Sequence, residues 1–286
     1  MRMTFRFVGT VRLLTVVAAV GLLAASCGGG SSSSTPTSPT TPTTPVSPVT
    51  GGACGAVAGL LDTTQTIVNG TNCNDTQAAT SSVVWLYLLD ANGGAIGYCS
   101  GTIIGSQWVL TAAHCLNDTT RSVATYLPQV SAVPIVASEF HYNPGYTGVG
   151  PTSLDVGVVK FPSALSRNPI SLLTSRPAIA NEQSVIAGFG SNGGGLGLGT
   201  LSAGYATVAQ VDSYYITIAY SNSSSSVCAG DSGGPLLLQQ GGQWAVAGIT
   251  STATTGCLSG TSQFTAVYNN AIKNFILGYV TDATQR

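Results

Sequence analysis

An all-β fold is what this sequence predicts, and three observations predict it. Only 7% of its 286 residues are charged, while Gly, Ser, Thr, Ala and Val are abundant, a composition suited to many short strands joined by tight turns. Apolar and polar residues alternate in stretches such as 83–88 and 98–104, and turn signals such as Ala91-Asn92-Gly93-Gly94 separate them. A helical apolar pattern is reserved for residues 271–280, so one C-terminal helix is expected.

The first fifty residues are built for export rather than for a core. Residues 1–12 carry Arg2, Arg6 and Arg12, and residues 13–25 are almost wholly apolar, which reads as a secretory signal too short for a stable membrane span. The signal is expected to cover residues 1–26. Its end, Leu22-Leu23-Ala24-Ala25-Ser26-Cys27 followed by three glycines, resembles a bacterial lipoprotein signal, which implies lipid on Cys27 and a membrane anchor there. An ordinary secretory signal with a free Cys27 is the alternative. Residues 27–50 form a Gly/Ser/Thr/Pro tether that can bury nothing. Residues 51–66 follow as a short pre-domain or activation segment containing Cys54, and residues 67–286 hold the main domain.

The chemistry concentrates in three stretches. Gly230-Asp231-Ser232-Gly233-Gly234-Pro235 places a serine among glycines, where the amides of Gly230 and Ser232 can point at one spot and stabilise an oxyanion. Serine attacks only when a base takes its proton. The chain has two histidines, His114 in Thr111-Ala112-Ala113-His114-Cys115 and His141 in a loop-like segment. Between His114 and Ser232, the run Ser153-Leu154-Asp155-Val156-Gly157 sets one acid in an apolar strand, suited to orienting the histidine.

These three motifs, in the order His, Asp, Ser, resemble the chymotrypsin-like (trypsin-fold) serine proteases over residues 67–286. The resemblance implies two six-stranded antiparallel β-barrels and a closing helix. It implies His114 as general base, Asp155 as its orienting partner, Ser232 as nucleophile, and Gly230 with Ser232 as the oxyanion hole. His141 matches an exposed loop of the family and is expected on the surface. Ile67-Val68-Asn69-Gly70 resembles the family's mature N-terminus, whose freed ammonium would pair with Asp231. A plain first strand, with Asp231 capping a turn, is the other reading. Thr66 stands where an activating trypsin would need Arg or Lys, so any activating protease is of another kind, or the chain cuts itself.

The same resemblance pairs Cys99 with Cys115 and Cys228 with Cys257. With Cys27 given to lipid, Cys54 and Cys73 are left for a third bridge, in keeping with an exported protein. Counting from Ser232 and along the family's substrate-flanking strand, the pocket residues are Ser226 at the base, then Ser251 and Ala253. An uncharged base and a methyl on the wall imply cleavage after small or medium uncharged side chains.

Other classes are poorly served. Formal charge is −1, and losing the three N-terminal arginines lowers it by three more, so no basic face for nucleic acid is expected. No His, Cys or carboxylate cluster has metal-ligand spacing, and no cofactor is implied. The expected partners are protein or peptide substrates, and the protein is expected to be a monomer. A non-catalytic surface binding or adhesion protein on the same fold is the alternative from another class. An esterase shares the acyl-enzyme chemistry, but the order of the motifs argues against the α/β-hydrolase type.

Overall fold

Alternating burial builds the first lobe. In the computed structural model, which describes residues 52–58, 67–73 and 81–286 apart from 118, 128–129, 149, 193–197 and 255, two short elements come first. These are α1 (Gly52–Ala58) and β1 (Thr71–Asn72). In β2 (Val83–Leu89), Val84, Leu86 and Leu88 are buried, while Trp85, Tyr87 and Leu89 turn outwards. The expected signal, the tether with Cys27, and Thr66 all lie outside the described residues.

The lobe continues through β3 (Ala95–Ile103), β4 (Trp108–Thr111), β5 (Ser122–Thr125), β6 (Ile135–Val136), β7 (Glu139–Tyr142) and β8 (Gly157–Lys160). They form one seven-stranded antiparallel sheet in the order β6-β5-β2-β3-β4-β8-β7. The outermost strands are consecutive in sequence. Ala137 N donates to Val123 O and Ser138 N to Lys160 O, each at 2.8 Å, so the covalent chain itself joins the two edges. The result is a curled half-barrel.

The second lobe uses β9 (Gln183–Gly188), β10 (Ser202–Val211), β11 (Tyr215–Tyr220), β12 (Pro235–Gln240), β13 (Gln243–Ala253) and β14 (Gly260–Ala266). Their order is β10-β11-β14-β13-β12-β9, and β9 pairs back onto β10, which closes a six-stranded barrel. Ile216, Ile218, Ala245, Ala247 and Phe264 fill its interior. The short β1 attaches to β10, Thr71 opposite Ala203. The expected all-β fold with paired barrels is what forms, one barrel closed and one half-closed.

Helix α2 (Asn270–Tyr279) ends the chain and buries Ile272 and Ile276. The Asn269 side chain accepts from the amides of Ala271 (2.9 Å) and Ile272 (3.3 Å), an N-cap worth ~1 kcal/mol. Helix α1 is more than a leader. It buries Ala53, Cys54 and Val57 in the shared core, and Val57 O accepts from Ser82 N at 3.2 Å.

Three disulfides staple this frame, Cys54–Cys73, Cys99–Cys115 and Cys228–Cys257, with Cα separations of 5.5, 6.3 and 5.3 Å. All three expected pairings form. Closing a loop of about 15 residues constrains the unfolded chain by ~3 kcal/mol.

Candidate active site

Strand pairing brings the histidine and the acid together. Leu110 lies opposite Val158 and Thr111 opposite Gly157 in the β4–β8 ladder, so the chain leaving β4 and the chain entering β8 run side by side. His114 stands three residues past Thr111, in a 3-10 turn over Ala113–Cys115, and Asp155 stands two residues before Gly157. Asp155 Oδ1 accepts the His114 amide at 2.9 Å, and Oδ2 lies 2.8 Å from His114 Nδ1. Ser251 Oγ donates to the same Oδ2 at 2.6 Å. Three donors therefore surround a fully buried carboxylate. Since that group accepts, Nδ1 carries the imidazole hydrogen and Nε2 is left with a lone pair.

Ser232 comes from the other lobe, in the turn before β12. Its carbonyl accepts the Ser100 amide at 2.7 Å. Gly233 beside it has φ +80°, and any Cβ there would fall 2.0 Å from Thr111 Oγ1 and 2.9 Å from Ala112 N. Only glycine lets this turn press against the segment that leads to His114. The Ser232 hydroxyl is half-exposed and makes no hydrogen bond among the described residues. Gly230 takes φ +96° on the other side of Asp231. Among the described residues neither the Gly230 nor the Ser232 amide donates to a protein acceptor, whereas those of Asp231, Gly233 and Gly234 all do. Two unspent amides therefore flank one carboxylate-bearing residue beside the serine.

The loop is held from beneath. Asp231 is buried, and its carboxylate accepts from Gly190 N and Cys228 N, each at 2.8 Å. Burial pushes its pKa up to about 7, with the two amides pulling the other way. It has no ionic partner among the described residues. Ile67 is buried and Val68 bridges to Ser226, so the expected N-terminal stretch lies against the residue expected at the pocket base.

Ser226, the residue expected at the pocket base, is fully buried and its hydroxyl donates to the Cys257 carbonyl, so its polar group is already spent. Ala253 is exposed at the end of β13. Ser251, expected among the pocket residues as the substrate-flanking serine, commits its side chain to Asp155. His141 stays apart: its ring stacks on Tyr279 with centroids 4.2 Å apart and Nε2 lies 3.3 Å from Glu139.

Two contributors escaped the sequence reading. Ser100, fully buried in β3, donates its hydroxyl to Gly230 O at 2.9 Å and accepts Phe189 N at the same distance. It thus pins the carbonyl side of the loop; its one signal was its place after Cys99. Tyr215 is the other. Among the described residues the ligand atoms of Cys99, His114 and Cys115 lie within 4.8 Å of one another, but both sulfurs are spent in a disulfide and cannot hold a metal.

Comparison with known proteins bears on the fold and the family. Residues 67–276 match the family model named Trypsin. Serine protease 1 of Drosophila melanogaster is 27% identical over 213 residues, covering 68% of this chain and 80% of that protein. A trypsin-like protease of Streptomyces glaucescens is 29% identical over 176 residues, covering 54% of this chain and 64% of its own. The solved structure of HL collagenase superposes with a TM-score of 0.59 at 23% identity, over 74% of this chain and 97% of that one, a likeness of fold. With the family match spanning well over half of its length, the chain belongs to the trypsin family of serine proteases.

Proposed function

We propose that the protein is an endopeptidase that cuts peptide bonds through an acyl-enzyme on Ser232. The observation that carries the reading is the buried Asp155 carboxylate, which holds His114 by both its amide and Nδ1 and leaves Nε2 as the free base. Nε2 takes the Ser232 proton as Oγ bonds to the substrate carbonyl carbon. The resulting oxyanion meets the amides of Gly230 and Ser232. The imidazolium, stabilised by Asp155, then protonates the departing amine and the C–N bond breaks. Water repeats the sequence on the ester: His114 takes its proton, the acid leaves, and Ser232 is restored.

Specificity follows from the spent polar group at the pocket base. With Ser226 uncharged and the Ala253 methyl on the wall, substrates carrying Ala, Val or Thr before the cut bond should be turned over faster than those carrying Arg or Lys. An apolar slot separates neighbouring sizes by only ~1–3 kcal/mol per methylene, so selectivity is broad. The test is to label mature protein with a serine-reactive fluorophosphonate and then profile it on a peptide library. Folded protein that never labels would leave the non-catalytic binding role in possession, and a preference for Arg would overturn the pocket assignment.

The setting is outside the cytoplasm, where three disulfides persist. Lipid on Cys27 would hold the protein on a membrane. If the bond before Ile67 is cut, the Cys54–Cys73 bridge and the buried face of α1 keep the leading segment attached. Gels of mature membrane-bound protein should show two fragments only after reduction, one beginning at Ile67. A single band from fully active enzyme in reductant would rule out this tethered activation.

A further inference from the structure

Under the triad reading, base and nucleophile belong to different lobes: His114 and Asp155 to the curled sheet, Ser232 to the closed barrel. Ser100 pins the serine loop to the first lobe, and the placement of Asp155 itself depends further on what ties its segment to the closed barrel. One tie is the Ser251 hydroxyl on the carboxylate. The other lies upstream, in the turn Gly150-Pro151-Thr152-Ser153 that delivers the chain to Leu154 and Asp155.

Gly150 O accepts two hydrogen bonds, from Ser153 N at 3.2 Å within the turn and from Tyr215 Oη at 2.8 Å across the cleft. Tyr215 is 1% exposed, the largest of the fully buried side chains. It is also a rigid donor. It opens β11 opposite Thr265 of β14, its amide donates to Asp212 Oδ1 at 2.8 Å, and its carbonyl accepts Asp212 N at 2.9 Å. The hydroxyl lies beside those of Ser153 and Ser251 and feels the charge of Asp155. Burial pushes its pKa up, so it stays a neutral donor. Tyr146, the other phenol facing Asp155, is likewise pushed up by burial and by that charge.

We infer that Tyr215 is a positioning residue for Asp155, its hydroxyl locking the turn at Gly150 to the closed barrel so that the aspartate meets His114 in fixed register with Ser232. The inference rests on the proposed triad. A phenol in a strand contributes most here through geometry: a small misplacement of a catalytic group costs rate far more than it costs binding.

The experiment is Tyr215→Phe in the full chain, with active sites counted by fluorophosphonate titration. Turnover per titrated site should fall about tenfold while KM stays within about twofold. The acid limb of the kcat/KM profile should move to lower pH, because a loosely held carboxylate stabilises the imidazolium less and the neutral base persists further into acid. A role in stability alone would lower Tm or the number of titratable sites and leave turnover per site and the limb in place. Tyr214→Phe, one residue away, is the control and should match wild type. Pro151→Gly loosens the same turn from its exposed side and should give the same signature, which keeps the inference open to failure if Tyr215→Phe does not fold. Wild-type protein that never labels would bring down the functional reading and this one with it. Wild-type labelling together with unchanged turnover per site and an unmoved limb in the variants would overturn this inference alone.

Discussion

Ser232→Ala, His114→Ala and Asp155→Asn are each expected to lower peptide hydrolysis by at least about a thousandfold while leaving the fold intact. The three changes strike one relay. Without Oγ there is no acyl-enzyme, without the imidazole Oγ keeps its proton, and an asparagine in place of Asp155 would offer an amide where Nδ1–H needs an acceptor. The double variant Ser232→Ala/His114→Ala should therefore be no slower than its worse single, since groups that act as a unit do not multiply. Some turnover above the uncatalysed rate should survive in all of them, from the Gly230 and Ser232 amides and from substrate binding. His114 and Ser232 are only partly buried, so thermal melts should change little for Ser232→Ala and His114→Ala. Asp155→Asn disturbs a buried site with three donors and should also lose stability, by ~1–3 kcal/mol. Near-normal turnover by Ser232→Ala would end the assignment of the nucleophile.

What the sequence made legible was chemistry that needs particular residue types at particular neighbours. The glycines around Ser232 announce a turn that no other residue can enter, and structure places Gly233 against Thr111 and Ala112 for that reason. Strand content was legible from alternation, as in β2, because burial on one face leaves a period of two. The curl of the first lobe was not, since whether a sheet closes depends on pairings between strands far apart in sequence. Helix α1 was missed because seven residues rich in Gly and Ala carry too little periodicity; its core contacts and its disulfide define it. Ser100 and Tyr215 were missed for a related reason. A lone serine or tyrosine in a strand has no motif, and its role appears only when the other lobe supplies the carbonyl that its hydroxyl meets.

Asp231 should make the uncut chain lose stability as pH rises from about 4 to 7. Its carboxyl is wholly buried and titrates near 7 in the fold, against 3.8 in the open chain. Between those values the folded state holds a proton that the unfolded state has released, so stability present below about pH 4 drains away and levels off above about pH 7. Three pH units correspond to about 4 kcal/mol as an upper bound, and about 3 kcal/mol of it falls between pH 5 and 8. Cutting before Ile67 would change the sign of the problem. An ammonium reaching Asp231 favours the ionised carboxylate, and the slope should flatten or reverse in the processed protein. The measurement is urea unfolding of uncut Ser232→Ala across this range, beside Ser232→Ala/Asp231→Asn. Every ionisable group other than Asp231 is common to both proteins and cancels in the difference. The Asp231→Asn protein loses some stability at every pH, since a carboxamide cannot accept at both Gly190 N and Cys228 N, but it has no proton to release there. Converging curves, with the lead of the protein that keeps Asp231 shrinking as pH rises, are the expected result. Two parallel curves from pH 5 to 8 would show that burial does not hold a proton on Asp231 and that its two amides suffice to keep it charged.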